Sequence, residues 1–430
     1  MRQSVLPHGS RVSPPPRSSM ARVLLLGFNS AALWAALTAW TWYAFGLVPL
    51  QLALIGEAGL DSSRASSALA SAWLCAALAT IILSLMYRQP IAFAVPSVGL
   101  IFGKALADTL PFEEILGATM VAGLVVAILA LSGASARLVS WLPPSIVMAM
   151  FAGVVLDFAR RAVGATVADL AVGGATVAGF ALGRALGLAR VPPMALAAMS
   201  GALAIAATGA TSVPAVVWEP PHLVLARPGL SLASLLAVTP PLIIILVGMN
   251  LAPSCAFLDG QQYRPPTRRM TLAIGLAALV APLFHGFTAA PSRDGGAIMA
   301  GPDAGPAAAR YQSTLIGGAL MLVLALAAGA VVAVAAVLPA SFIVTLTGLS
   351  MLGPLQSALG RAFDGALRFG PTIAFVVAIT PFSAFGLPSS CWALILGIAA
   401  AWIGEREELR AYWRTQHDER QSDAVPGRTR

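Results

Sequence analysis

Charged residues are scarce in this chain of 430 residues, since only 10% are Asp, Glu, Lys or Arg. A soluble domain carries roughly a quarter of its residues as charges, so this composition excludes an ordinary soluble protein. Hydrophobic residues make up 58% of the chain. Apolar stretches of about the 20 residues needed to cross a bilayer recur from Val23 to Ile403. The chain is therefore predicted to be an all-α polytopic membrane protein.

Cysteine and histidine are also few, with three and four residues. Each cysteine lies within an apolar span and the histidines lack metal-ligand spacing, so we expect no disulfide framework, metal or other cofactor. No histidine cluster or paired acidic motif falls at a common membrane face, which argues against a membrane enzyme. Lys104 is the only lysine, and the resulting arginine bias, with abundant Ala and Gly, is typical of a bacterial protein.

The second half of the chain faintly repeats the first. Hydropathy predicts seven crossings in each half, and an odd number requires the second copy to insert upside down. We therefore predict about fourteen transmembrane elements in a 7+7 inverted repeat. Three matched anchors share an offset of 195 or 196 positions: Ala94-Val95-Pro96-Ser97 with Ala289-Ala290-Pro291-Ser292, Leu142-Pro143-Pro144-Ser145 with Leu338-Pro339-Ala340-Ser341, and Pro192 and Gly201 with Pro388 and Gly397.

The spans divide the chain into two repeats, a linker and two polar ends, and the ends are expected to be disordered. Met20 is an alternative start. The predicted segments are the N-terminus 1–20, the first repeat 21–210, an external linker 211–231, the second repeat 232–404 and the C-terminal tail 405–430.

Arginine placement gives an independent test of the topology. Most arginines fall in segments that the span count places inside, with Arg160 and Arg161 as the main exceptions. The positive-inside rule therefore predicts a multi-pass protein of the bacterial inner membrane with both termini cytoplasmic.

The chemistry is predicted to lie where the third and tenth elements break. Pro96 and Pro291 cannot donate a backbone hydrogen bond and push the preceding residue toward extended geometry. Short extended stretches are therefore expected at 91–95 and 287–290, each leading into a half-helix that starts at the proline. Two half-helix N-termini would then face each other near the bilayer centre, with free N–H groups and partial positive charge. This arrangement favours an anion.

Polar side chains near the breaks are the candidate site. Arg293 is interpreted as a fixed charge for a substrate carboxylate and Asp294 as its counter-ion or a proton carrier, because ionisable residues at this depth are rare. Mutual neutralisation of this pair is the alternative. Asn250 could orient the substrate or join two helices. The predicted substrate-binding residues are Ser97, Pro96, Asn250, Pro291, Ser292, Arg293 and Gly295, with Asp294 as the proton-coupling residue.

Three segments carry a resemblance to a known family: Tyr87-Arg88-Gln89-Pro90-Ile91, Leu110-Pro111-Phe112-Glu113-Glu114-Ile115-Leu116-Gly117-Ala118 and Gly248-Met249-Asn250-Leu251-Ala252. Through these residues the chain resembles the benzoate:proton symporter family of BenE type. The resemblance extends from about Phe45 to Ile403. It implies the fold shared with nucleobase permeases and sulfate-permease type transporters, in which inverted repeats form a core and a gate domain. It also implies substrate between the third and tenth elements, facing the eighth, and a homodimer.

The tenth element departs from the family's pattern. Benzoate symporters typically carry an Asn-Leu-Ala-Ala-like run where this chain has Asp294-Gly295-Gly296-Ala297. Arg293 is instead similar to the arginine that many sulfate-permease type proteins place at this half-helix start, which implies an anionic substrate.

Residues and resemblance together predict a secondary active transporter that couples protons to an organic anion, either benzoate or a similar aromatic or small carboxylate. Its expected partners are that anion, protons and the lipid bilayer, and no nucleic acid. A nucleobase or sulfate-like anion transporter and a passive anion channel of the same fold are the alternatives.

Overall fold

The structure, a computed structural model, describes residues 29–107, 110–132, 143–187, 192–209, 220–380, 382–384 and 387–423. The N-terminal segment 1–20, with Met20, lies outside the described residues, as does the beginning of the predicted linker.

The first part of the chain forms long helices with one short strand among them. In chain order these elements are α1 (Ser30–Glu57), α2 (Ser62–Tyr87), β1 (Phe93–Ala94), α3 (Ser97–Ala107), α4 (Phe112–Ser132), α5 (Pro144–Ala168), α6 (Val172–Leu186) and α7 (Pro193–Thr208).

The second part has a matching order, with α11 and α12 together standing where one crossing is predicted. Its elements are α8 (Leu232–Gly260), α9 (Thr267–Val280), β2 (Ala290–Pro291), α10 (Arg293–Ala300), α11 (Tyr311–Leu326), α12 (Ala328–Val337), α13 (Ala340–Phe363), α14 (Phe369–Ile379), β3 (Ser383–Ala384), β4 (Leu387–Pro388), α15 (Ser389–Gly404) and α16 (Arg406–Asp423).

Short polar side chains and prolines fix where several helices begin. The Asn29 side chain accepts from the Ala31 N–H at 3.0 Å at the start of α1, and Asp61 accepts from the Arg64 N–H at 2.8 Å at the start of α2. Prolines occupy the first turns of α5 and α7, where a missing N–H costs nothing.

Prolines 49 and 253 do not end their helices. A π-helical segment precedes each of them, Tyr43–Leu47 in α1 and Ile244–Leu251 in α8. A proline removes one intrahelical hydrogen bond and clashes with the carbonyl one turn before it, and a local π segment accommodates such an irregularity. The two π segments occupy equivalent places in the two halves, which supports their duplication.

Packing between helices repeats when the two halves are exchanged. Helix α2 packs on α11 as α9 packs on α4, α10 packs on α1 as α3 packs on α8, and α14 packs on α5 as α6 packs on α13. The helices therefore separate into a core, built from α1–α4 and α8–α12, and a gate, built from α5–α7 and α13–α15. These are the inverted-repeat fold and the two bodies predicted from the sequence.

The two helix breaks meet as an antiparallel pair of strands. Phe93 lies opposite Pro291 and Ala94 opposite Ala290, and the Ser292 N–H donates to the Ala92 carbonyl oxygen at 2.8 Å. The extended geometry predicted before each proline is confirmed. The half-helices begin at Ser97 and Arg293, one and two residues after the prolines rather than at them. Pro291 still belongs to strand β2.

One sequence expectation needs correction. The C-terminal tail is helical over Arg406–Asp423 rather than disordered. Leu409 is fully buried and packs this helix against the main cluster of buried apolar side chains.

Arg160 and Arg161 lie inside α5, which extends to Ala168, and both bind Asp157, at 2.8 and 2.6 Å. Their charge at this end of the helix is thereby partly compensated.

Glycines allow close helix crossings within the core. Where α4 crosses α9, a Cβ added at Gly123 would lie 2.8 Å from the Ala278 Cβ and 2.9 Å from the Gly275 carbonyl oxygen. The Gly275 oxygen is a backbone atom of the helix, and the Ala278 Cβ is bonded directly to the backbone. Neither atom can move aside by a side-chain rotation.

We expect Gly123→Val to destabilise the protein by about 1–3 kcal/mol or more, as overpacking does. The measurement is thermal unfolding in detergent. Gly164→Val is the matched control, because a Cβ at Gly164 meets no atom within 4 Å. Equal melting temperatures for the two variants would contradict the proposed tight crossing of α4 and α9.

Candidate functional site

The amino ends of α3 and α10 lie beside the β1–β2 pair. Ser292 is the N-cap residue of α10, and its Oγ accepts from the Gly295 N–H at 3.2 Å. Helix α3 begins at Ser97, directly after Pro96. Because the strands pair antiparallel, the two half-helices start from a common point, and the positive ends of both dipoles are concentrated there.

A small inner cavity of about 30 Å³ lies at this point, with room for about one or two water molecules. All the predicted binding residues except Gly295 line it. The core contributes both breaks and the π segments of α1 and α8, while the gate contributes α5 and α13. Its lining includes Pro96, Ser97, Asn250, Pro291, Ser292, Arg293, Asp294, Trp42, Met148, Phe151, Met249, Pro354 and Ser357.

A larger cavity of about 550 Å³, here called the vestibule, lies next to the inner one. The two cavities share five lining residues, which form the wall between them: Trp42, Arg293, Asp294, Pro354 and Ser357. The vestibule extends to the end of α6 at Arg184 and to the start of α7 at Pro193. Its remaining wall comes largely from α13.

Arg293 and Asp294 form an ion pair in the wall between the cavities. Arg293 Nε donates to Asp294 Oδ1 at 3.1 Å, and the two side chains are 26% and 43% exposed. Partial exposure leaves both groups accessible to a solute in the vestibule. Arg293 and Asp294 bind each other, as the alternative of mutual neutralisation has it, and both also line the two cavities.

Asn250 lines the inner cavity from the π segment of α8 and is 7% exposed. Its Nδ2 donates to the Ile245 carbonyl oxygen at 2.8 Å, within its own helix. The observed bond therefore does not join two helices.

Gly295 faces away from the cavities and packs against Tyr43 of α1. A Cβ at this position would overlap the Tyr43 ring and hydroxyl. The Tyr43 side chain is fully buried, and its ring lies 5.7 Å from the Trp73 ring. Gly295 is predicted to bind substrate, but the group that approaches it closely is this tyrosine. The contact sets how near α10 lies to α1.

Several lining residues were not predicted from the sequence. Met148, Phe151 and Met249 are indistinguishable there from ordinary apolar residues of a span. For Trp42 the sequence leaves two interpretations open, an interfacial belt residue or a stacking surface for a ring. Pro354 offers a signal, because a proline inside an apolar helix marks an irregularity of the kind already used to find the two breaks.

Paired half-helices, a core and a gate that both line the cavities, and an internal two-fold repeat define a membrane transporter of the inverted-repeat type. The chain belongs to the BenE family, since the model of that family, described as "Benzoate membrane transport protein", matches residues 26–403.

Two curated relatives are similar over most of their lengths. The inner membrane protein YdcO of Escherichia coli is 26% identical over 391 residues, covering 89% of this chain and 94% of that protein. The benzoate membrane transport protein of Acinetobacter baylyi is 23% identical over 333 residues, covering 76% of this chain and 83% of that protein. Relatives and apolar helices identify a multi-pass protein of the inner membrane.

Solved structures share the fold at low sequence identity. The transmembrane domain of the cyanobacterial bicarbonate transporter BicA superposes with a TM-score of 0.57 at 12% identity, covering 87% of this chain and 98% of that chain. SLC26A9 superposes with a TM-score of 0.59 at 12% identity, covering 87% of this chain and 64% of that chain. Family and fold are those of membrane transporters rather than enzymes, and they support an anion transporter.

We expect Gly295→Ala to lower the melting temperature, because the buried Tyr43 ring cannot yield to the added methyl group. The adjacent Gly296→Ala is the matched control, since its Cβ would meet only the Ala92 Cβ at 3.9 Å. Adding Tyr43→Phe to Gly295→Ala should recover part of the loss by removing the hydroxyl. No recovery, or equal loss in both glycine variants, would contradict this contact.

Proposed function

We propose that this chain transports a small organic anion, benzoate or a similar aromatic or small carboxylate, together with protons across the bacterial inner membrane. The observation that carries the proposal is the Arg293–Asp294 pair in the wall between the inner cavity and the vestibule. It combines a fixed cation, an exchangeable proton site and two half-helix N-termini at one place.

Cavity size and lining support an aromatic carboxylate. At about 550 Å³, the vestibule lies within the roughly 300–1,000 Å³ typical of sites for small organic ligands. Trp42 and Phe180 provide aromatic surface there, and Arg293 provides a partner for a carboxylate. The inner cavity is too small for such a molecule, so binding at the half-helices requires the gate to withdraw from the core.

Competition for Arg293 supplies a physical basis for coupling. While Asp294 is ionised, it occupies the Arg293 guanidinium and repels an incoming anion. Protonation of Asp294 frees Arg293 and removes that repulsion, so the proton and the anion bind more strongly together than separately. A passive channel has no need for an acid beside its cationic site.

The proposed sidedness follows from the arginine distribution. The positive-inside rule assigns three arginines near the vestibule or its helices to the cytoplasm. They are Arg184 at the mouth of the vestibule, Arg361 at the end of α13 and Arg368 at the start of α14. The vestibule would then open inward, with both termini cytoplasmic. We further propose residues 21–210 and 232–404 as the repeats, residues 211–231 as an external linker, and a homodimeric assembly.

The rival substrates differ in what they need from α8. Nucleobase permeases generally use acidic side chains on the eighth and tenth elements, whereas the α8 residues that line the inner cavity are Met249 and Asn250. A sulfate-like anion would need no aromatic surface. Direct competition between these classes therefore discriminates among them.

The testing experiment measures radiolabelled benzoate uptake into proteoliposomes with and without an inward proton gradient, with unlabelled uracil and sulfate as competitors. Gradient-driven uptake that neither competitor blocks is expected. Uptake that ignores the proton gradient but follows voltage would favour a channel, and block by sulfate or uracil would name another substrate class.

We expect Arg293→Gln to reduce uptake at least about ten-fold, the loss typical of a charge-assisted hydrogen bond. Asp294→Asn should keep benzoate exchange between the two faces but lose accumulation driven by the proton gradient. Arg227→Gln, which removes an exposed cation of the linker far from both cavities, is the matched control. Wild-type accumulation by Asp294→Asn would remove that residue from coupling.

A further inference from the structure

Arg310 holds the carboxyl end of α10, the end opposite to the inner cavity. Its Nη1 donates to the Ala300 carbonyl oxygen at 3.0 Å, and Ser313 Oγ donates to the Met299 carbonyl oxygen at 2.6 Å. The last four carbonyl groups of a helix have no partner within it. Two side chains from the segment that begins α11 therefore satisfy two of these groups.

The Arg310 guanidinium binds neutral oxygen acceptors. Its remaining hydrogen bonds are from Nε to the Gly305 carbonyl oxygen at 2.8 Å and from Nη1 to Gln261 Oε1 at 2.9 Å. All these acceptors are neutral. Among the residues that the structure describes, no Asp or Glu forms an ion pair with this half-buried guanidinium.

This cation acts on the opposite end of a very short helix. Helix α10 has eight residues, about 12 Å of length. A positive charge at the carboxyl end offsets the negative pole of the helix dipole, and its own field reaches the amino end at that distance. For an effective dielectric constant near 20, the attraction on an anion there corresponds to about a three- to ten-fold gain in affinity.

We propose that Arg310 is a positioning residue that strengthens anion binding at the amino end of α10 through its uncompensated charge, while fixing the helix to the α8–α9 corner and to α11. This inference rests on the proposed function, because the anion site that Arg310 strengthens is the site proposed there.

Gln261→Glu is the sharpest test, because it keeps Arg310 and its bonds while adding a carboxylate beside the guanidinium. The apparent KM for benzoate should rise about three- to ten-fold with little change in maximal rate, and thermal stability should stay equal or increase. Arg310→Gln should raise KM similarly but with lower stability, and Arg310→Lys should stay within about two-fold of the wild type.

Ser313→Ala is the matched control, since it removes the neighbouring carbonyl bond without changing charge. It should lower stability while leaving KM within about two-fold. A merely structural role for Arg310 would instead make stability and uptake fall together, and Gln261→Glu would then leave KM unchanged.

A second readout needs no transported substrate. Ser292→Cys, in a chain whose three native cysteines are replaced by alanine, places a thiol at the amino end of α10. The pH dependence of its alkylation reports the local potential. Adding Gln261→Glu should raise the thiol pKa by about half to one unit, the same three- to ten-fold effect.

The two readouts separate this inference from the proposed function. A shifted thiol pKa without benzoate transport by the wild type would uphold the role of Arg310 and reject benzoate. Benzoate transport with an unshifted thiol and unchanged KM in Gln261→Glu would reject the role of Arg310 alone.

Discussion

Backbone hydrogen bonding at the two helix breaks is the constraint on which the rest of the structure depends. Inside a bilayer no water satisfies exposed N–H and C=O groups, so non-helical backbone must find partners in protein. The β1–β2 pair supplies part of them. Thr80 of α2 supplies more, because its Oγ1 accepts from the Phe93 N–H at 2.9 Å, and Ser84 Oγ donates to the Ile91 carbonyl oxygen at 3.0 Å.

The same constraint shapes the candidate site. Once the extended segments are paired with each other, the half-helices that follow must begin at the pairing point, and their first N–H groups have no earlier helical turn to bind. Ser292 caps one N–H of α10, while the others add to a positive potential at the inner cavity. The site is thus a by-product of joining two breaks, and Arg293 and Asp294 add a cation and a titratable group to it.

The sequence could predict the breaks because proline acts locally, through its missing N–H and its effect on the preceding residue. Pro96 and Pro291 therefore indicate both the extended segments and the half-helices. The anion preference follows from the same positions and from Arg293. The duplication, visible at a nearly constant offset, adds the prediction that the two breaks face each other.

The contacts that shape the site depend on packing between distant segments, which no local pattern encodes. Tyr43 meets Gly295 because the π segment of α1 turns its ring toward α10, and Pro354 reaches the cavities only because α13 crosses the core. Arg310 lies in a loop after α10 and could not be linked to Ala300 without the fold. The helix Arg406–Asp423 was missed because its composition is polar, although its residue Leu409 is buried.

Movement between core and gate is compatible with these constraints in one particular way. The β1–β2 pair, its hydroxyl partners on α2 and both half-helices all belong to the core, so the core can shift as a unit without exposing an unpaired backbone group to lipid. The wall between the cavities is different, because Trp42, Arg293 and Asp294 come from the core and Pro354 and Ser357 from the gate. A shift of the core relative to the gate therefore opens or closes that wall while the β1–β2 pairing stays intact. Access to the candidate site can therefore change at this wall, where core and gate meet through side chains and the backbone hydrogen bonds of the β1–β2 pair do not have to break.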